Sequence, residues 1–190
     1  MSELTKYPRT PHLPFSPGAT NDDRIVSDVD YAAFARLGNY VVTEKMDGGN
    51  VTMTRNHFFA RSLDSGTHPW DTPAKALWAQ VRFEIPEGWR VSGESMYARR
   101  SVGYDNLPSY YLVFGIWDDD DVLLSWDNTI EFASAMGLFT VPTIYRGDDF
   151  GAATGAWERN GLAKVSEGFV VRNADSIPFD SFDKNVMKFV

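Results

Sequence analysis

Along the chain, apolar residues first gather into a strand-like run at Tyr40-Val-Val-Thr-Glu-Lys45, β-branched and aromatic, and Asp47-Gly48-Gly49 follows as a tight turn. Asn50-Val-Thr-Met-Thr-Arg55 and Phe58-Phe-Ala-Arg61 continue as strands. Thr72-Pro73 reads as an N-cap followed by proline at the first helical position, and Ala74, Leu77, Trp78 and Val81 recur behind it at helical spacing. Trp89 to Met96 and Tyr110 to Trp117 predict two further strands, the second nearly all apolar and therefore central. Asp127 is read as the cap of a second helix that Gly137 ends, and a third runs from about Asp149 to Asn160 with Gly161 after it. Ser166 to Arg172 and Asn185 to Val190 close the chain as strands. Strands predominate and the helices are inserted irregularly, which predicts an α+β fold with mostly antiparallel sheets rather than a doubly wound one.

Ahead of this pattern, Tyr7 to Gly18 carries four prolines and cannot be helical. Residues 1–24 are therefore expected to form an extended arm that packs over the domain or frames a cleft. With 190 residues, 43% of them hydrophobic and 14% aromatic, the chain suits one domain with an ample core, 1–190 including the arm. There is no cysteine, so disulfides, thiolate metal sites and a thiol nucleophile are excluded. No apolar h-region opens the chain and no apolar run reaches a membrane span, so a cytoplasmic protein with no membrane partner is the expectation. The net charge of −8 counts against gripping long nucleic acid mainly through phosphates, but leaves room for a strand end held in a small basic pocket. Arg99-Arg100 is a local basic pair that equally suits a solvated turn. His12, His57 and His68 have no metal-ligand spacing and are read as packing or surface residues.

The sharpest local feature is Glu44-Lys45-Met46-Asp47-Gly48-Gly49-Asn50. A lysine ending a strand just before a glycine turn is held on a rigid element, and the glycines let backbone approach a ligand closely. Alone, the same residues read more simply as a β-hairpin with an Asp-Gly turn and a surface lysine.

Other segments recur with it in a fixed order: Phe59-Ala-Arg61-Ser62, Ser92-Gly-Glu94-Ser-Met-Tyr97, Val113-Phe114-Gly-Ile-Trp-Asp118, Glu167-Gly-Phe-Val-Val171 and Met187-Lys188-Phe189. With Lys45-Met-Asp-Gly48 they resemble the motifs of the covalent nucleotidyltransferase superfamily of ATP-dependent DNA and RNA ligases and capping enzymes. The arm Pro8-Arg-Thr-Pro-His-Leu-Pro14 and the run Arg61-Ser-Leu-Asp-Ser65 are similar to phage and bacterial RNA ligases in particular. The resemblance implies an ATP-grasp-like adenylation domain and an ATP-dependent RNA ligase using ATP and Mg²⁺ (or Mn²⁺). Its partners would be RNA ends, in a nicked duplex or a single strand.

The resemblance also implies roles. Lys45 would be the nucleophile that accepts AMP, and a free lysine is neutral only about one part in 2,500 at pH 7. It therefore needs desolvation or a neighbouring cation, for which Lys188 is the candidate; Lys188 would also contact the phosphate. Glu167 would hold the metal, and Asp47 would orient Lys45 or a water on that metal. Phe114 would stack on adenine, Glu94 would accept from the ribose hydroxyls, and the Glu44 backbone carbonyl would accept from the exocyclic amine. Arg61 would bind nucleotide and, with Asn50, engage the RNA 3′-hydroxyl end, which favours RNA ligase over a capping guanylyltransferase. Each has a plainer reading, Phe114 as core and the carboxylates as edge residues. A DNA nick ligase, a GTP-using capping-type enzyme and a non-catalytic nucleotide- or RNA-end-binding module stay open as alternatives.

Two departures stand out. Many ligases end on Lys-x-Lys, where this chain has Val186-Met187-Lys188, so one basic contact is absent or comes from elsewhere. The chain also stops two residues after Lys188 with no C-terminal accessory domain, so a minimal enzyme, a truncated chain or half of a split system completed by a separate domain or protein are all expected options.

Overall fold

The computed structural model describes residues 4–62 and 69–190. Two sheets carry the fold. In the first, β1 (Tyr40–Lys45) is paired with β8 (Thr143–Gly147) on one side and β9 (Gly168–Asn173) on the other, and β11 (Val186–Phe189) lies beyond β9; every pair is antiparallel. In the second, β2 (Gly49–Met53) lies between β3 (Phe58–Ala60) and β4 (Arg90–Ser95). Then come β5 (Tyr111–Trp117), β6 (Val122–Leu123) and β10 (Ile177–Pro178). A short parallel pairing of β7 (Phe139–Thr140) with β5 is the exception to antiparallel order. The α+β expectation holds, and β5 is central as its apolar run predicts, with partners in β4, β6 and β7.

Helices cover the outer faces. α1 (Asp28–Phe34) and α4 (Phe150–Arg159) face the first sheet, where Phe34, Ala153, Tyr40, Val42, Phe169 and Met187 form one core. α2 (Thr72–Val81) and α3 (Trp126–Ala135) cover the second, with Ala74, Val81 and Ala133 packed against Val51, Met53 and Ile116. A one-turn α5 (Phe182–Asn185) leads into β11. Among the described residues no helix is long and apolar enough to cross a membrane.

Three sequence readings need correction, and two longer elements were not foreseen. The Asp47-Gly48 turn is no hairpin: β1 and β2 belong to different sheets, so the turn carries the chain from one to the other. Gly48 is needed there for packing, since a Cβ would stand 2.8 Å from Glu94 Cγ and closer still to the Ser95 carbonyl. α3 is capped by Ser125, which accepts from Asn128 N, rather than by Asp127; Asp127 instead pairs with Arg146 at 2.5 Å. α2 begins at Thr72 itself, with Asp71 in the cap position. α1 and β8 escape a pattern reading for a shared reason. α1 has a single fully buried residue, Phe34, and β8 is an edge strand exposed or half-exposed throughout.

The arm is extended, as its prolines require. His12 bridges to Ile25 and Lys188, Leu13 N donates to Lys188 O at 2.8 Å, and Lys188 N donates to Pro11 O at 2.9 Å. The arm therefore lies against β11 as an outer strand of the first sheet, with Leu13 fully buried.

Candidate active site

Between the two sheets lies a cleft of about 260 Å³. β1, β9 and β11 form one wall, β2, β4 and β5 the other, and the arm a third side. Six of its lining residues are basic (Arg9, Arg24, Lys45, Arg61, Arg172 and Lys188) against three carboxylates, Asp23, Glu44 and Glu94. In a chain of net charge −8 this is a local reversal of sign, a field that favours a small anion over a cation.

Lys45 ends β1. The β1–β9 register sets Lys45 opposite Gly168, so Glu167, the residue before it, reaches across to the amine. Lys45 Nζ and Glu167 Oε2 are 2.5 Å apart, both side chains about a quarter exposed. Gly168 is required here, since a Cβ would run into the Phe189 carbonyl of β11.

At the other end, Phe114 is the one residue of β5 that is not buried. Its half-exposed ring lines the cleft, against the core formed by Met46, Leu112, Trp126 and Val141. The Tyr7 ring of the arm stands edge-on to it at 4.8 Å. Glu94 lines the same wall, and its Oε1 accepts from Gly48 N at 3.2 Å. Burial pushes its carboxyl up to about 7; Lys45 acts in the opposite sense, and Glu167 adds to the rise. The Gly-Glu pair has a packing cause as well: a Cβ on Gly93 would meet the Tyr111 ring at 2.6 Å, where β4 bulges against β5. Glu44 also borders the cleft, its carboxyl raised by burial and partly relieved by Ser166.

Lys188 completes the group from β11. Burial holds its ammonium below the ordinary lysine range; Asp23 opposes this, while Lys45 and Arg61 add to it, so Lys188 is near enough to feel both cations. Asp23 Oδ1 lies 3.7 Å from Lys188 Nζ and 3.4 Å from His12 Nε2. Thr20 hydrogen bonds hold the Asp23 carboxyl down at about 2. His12 is a buried packing residue, its imidazole lowered first by burial and then by Lys188.

Asn50 and Arg61 meet at the mouth of the cleft, where Arg61 N donates to Asn50 O at 3.1 Å and Asn50 Oδ1 is buried without a partner. Asp47 makes its hydrogen bonds to the loop that follows β4: its Oδ2 accepts from Val102 N at 3.0 Å and its amide donates to the Tyr104 hydroxyl at 3.2 Å, so it ties the 102–104 loop to the turn after Lys45. Arg99 and Arg100 are exposed, with Arg100 beside Gly49 and Glu94. Leu63 to Ser65 of the serine-containing run, and His68, lie outside the described residues.

The sequence reading missed Arg172, Arg9, Arg24 and Asp23. Arg172 is buried on β9, with Nη2 donating to Leu124 O at 2.8 Å and Nε to Asn173 O at 3.0 Å, while Nη1 has no partner. Burial brings it down to about 10, with Tyr7 opposing. Strand alternation puts Val170 and Arg172 on one face, and that spacing was the available signal. The prolines marked the arm as an element that could frame a cleft, but nothing local singled out Arg9, Asp23 or Arg24, which tertiary backbone bonds bring there.

The geometry accords with comparisons to known proteins. The sequence model described as RNA ligase matches residues 38–190. No curated protein matches the sequence closely enough to count as a relative. An archaeal ATP-dependent RNA ligase superposes with a TM-score of 0.66 at 16% identity, covering 98% of this chain and 48% of that one. A putative ATP-dependent DNA ligase from Aquifex aeolicus gives 0.64 at 15%, covering 98% and 50%. A variant of Naegleria gruberi RNA ligase with ATP and Mn gives 0.62 at 13%, covering 98% and 56%. The chain thus spans about half the length of the solved ligases it resembles, and at these identities the likeness is one of fold. With most of its length matched by the family's sequence pattern, the chain belongs to the RNA ligase family.

Proposed function

We propose that this chain is the nucleotidyltransferase domain of an ATP-dependent RNA ligase, with Lys45 as the group that carries AMP. The carrying observation is the cleft itself: an amine-bearing strand end and five further cations in an acidic chain, facing an aromatic ring suited to a purine. The archaeal and Naegleria ligases of the same fold, by their names ATP-dependent or holding ATP, supply the choice of nucleotide.

Lys45 Nζ attacks the α-phosphorus of ATP, a P–N bond forms, and the bond to pyrophosphate breaks. A 5′-phosphate oxygen of RNA then attacks the AMP phosphorus and returns the amine to Lys45. Finally the 3′-hydroxyl attacks the activated 5′ phosphorus, and AMP leaves. Phe114 stacks on the base, Glu94 accepts from the ribose hydroxyls, and the Glu44 carbonyl accepts from the adenine amine. Lys188 and Arg61 stabilise the charged phosphoryl oxygens, and Asn50 and Arg61 engage the 3′-hydroxyl end. Asp47 acts through the loop it fixes, which shapes the turn after Lys45.

Among the described residues no cluster of three His, Cys, Asp or Glu side chains could enclose a metal ion. Glu167, in contact with Lys45, suits a divalent ion that takes its remaining ligands from phosphate and water, as Mg²⁺ does. Such an ion would neutralise charge on the phosphates. In the Lys45–Glu167 pair the amine is engaged as a hydrogen-bond donor to the carboxylate. Moving Glu167 to another positive partner frees the nucleophile.

Sealing of nicks with RNA 3′-hydroxyl and 5′-phosphate ends, compared with all-DNA nicks and with ATP or GTP supplied, tests the assignment. RNA-ended sealing with ATP supports it. Preference for DNA ends supports the nick-ligase alternative, and labelling by GTP alone the capping one.

A further inference from the structure

We infer that the arm supplies a phosphate-binding cation, Arg9, which contacts the β- and γ-phosphates of the triphosphate; the inference rests on the nucleotidyl-transfer reading above. The arm borders the cleft from Tyr7 to Thr10. At one end the Tyr7 ring meets Phe114, and at the other Pro11 O accepts from Lys188 N. Pro8, Arg9 and Thr10, which all line the cleft, bridge the interval. Four residues of extended chain cover about 13 Å, the scale of the distance from a nucleobase to its distal phosphates.

The charge on Arg9 is largely unspent. Its guanidinium is exposed, has no carboxylate ion pair among the described residues, and makes one long hydrogen bond, to Asp22 O at 3.4 Å. The arm's other cleft arginine differs: Arg24 is tied to Asp183 at 2.7 Å. Lys188 likewise has Asp23 beside it, and Lys45 has Glu167.

β11 leaves a vacancy that Arg9 is placed to fill. It presents Val186 and Lys188 to the cleft, so only one of its two cleft-facing positions is basic. A triphosphate needs more than one cation along its distal oxygens. The backbone bonds of His12 and Leu13 pin the arm to β11 and β-flanking chain, and Pro8 and Pro11 limit the freedom of the residues between. Only the Arg9 side chain has to order on binding, and a guanidinium can meet two phosphate oxygens at once.

Equilibrium binding of ATP, ADP and AMP, with Mg²⁺, to the full chain carrying Lys45→Ala, alone and combined with Arg9→Ala, tests this. Arg9→Ala is expected to weaken ATP about 10- to 100-fold, as for loss of a charge-assisted bond, ADP less, and AMP by no more than about twofold. Arg9→Lys is expected to restore part of the loss. Equal weakening of ATP and AMP would show that the arm merely shapes the cleft, and unchanged ATP binding would exclude the contact; either overturns the inference. If the Lys45→Ala parent binds none of the three nucleotides, the nucleotide reading itself fails, a result distinct from both.

Discussion

Lys45 Nζ and Glu167 Oε2 stand 2.5 Å apart, joined across 122 residues of sequence by the antiparallel register of β1 and β9. The pair bears on the proposed first chemical step, because the carboxylate bonded to the amine is also the one suited to a metal. Glu167→Gln keeps the shape and removes the charge. It is expected to slow lysine adenylylation by at least about 100-fold while changing ATP affinity only a few-fold, a loss in the range of other charge-stabilising groups. Rapid-quench kinetics over a range of ATP concentrations separates the two. An unchanged rate would remove Glu167 from the chemistry.

Phe114 is the single half-exposed position of an otherwise buried strand, so its ring packs on the core and still faces the cleft, where the proposed nucleotide would stack. Base–aromatic stacking contributes about 1–3 kcal/mol. Phe114→Ala is therefore expected to raise the KM for ATP by roughly 5- to 150-fold, and Phe114→Tyr to leave it within about threefold. A Phe114→Ala variant of lower thermal stability but unchanged KM would make the residue a core side chain only.

Glu94 makes stability depend on pH. Burial holds its carboxyl up at about 7 in the folded chain, above the ordinary glutamate value of 4.5. Between those values the folded chain holds a proton that the unfolded chain has lost, so stability falls as pH rises from 4.5 to 7 and is level beyond. The full span is worth roughly 3 kcal/mol. Glu94→Gln is expected to flatten this slope, melting higher than the parent above pH 7 when nucleotide is absent. Thermal melts from pH 4 to 8 read it, and parallel curves for the two proteins would refute the placement of a buried, proton-holding carboxyl.

Much of this site is legible in the sequence because its groups sit on strands or directly beside them, where alternation fixes the face. Lys45, Glu94, Phe114, Glu167 and Lys188 are far apart in sequence, yet each is placed by its strand and by a glycine that lets strands close up. What was not legible depends on tertiary path. That Asp47-Gly48 crosses between sheets follows from which partners β1 and β2 find, and Asp47 turns to the Val102 amide because the 102–104 loop passes behind it. Arg9, Asp23 and Arg24 reach the cleft only through the bonds of His12, Leu13 and Val26. α1 was hidden by its one buried residue, although Ser27 and Asp30 cap it with bonds at 3.1 and 2.7 Å, a local signal that a closer reading of spacing would have found.

The central claim is that Lys45 becomes covalently linked to AMP. Incubating the full chain with α-labelled ATP and Mg²⁺, followed by denaturing electrophoresis, measures this directly. The wild type is expected to retain label that mass spectrometry assigns to Lys45, and Lys45→Ala and Lys45→Arg to retain none. A wild type without label, or a Lys45→Ala variant labelled as strongly as the parent, would contradict the account.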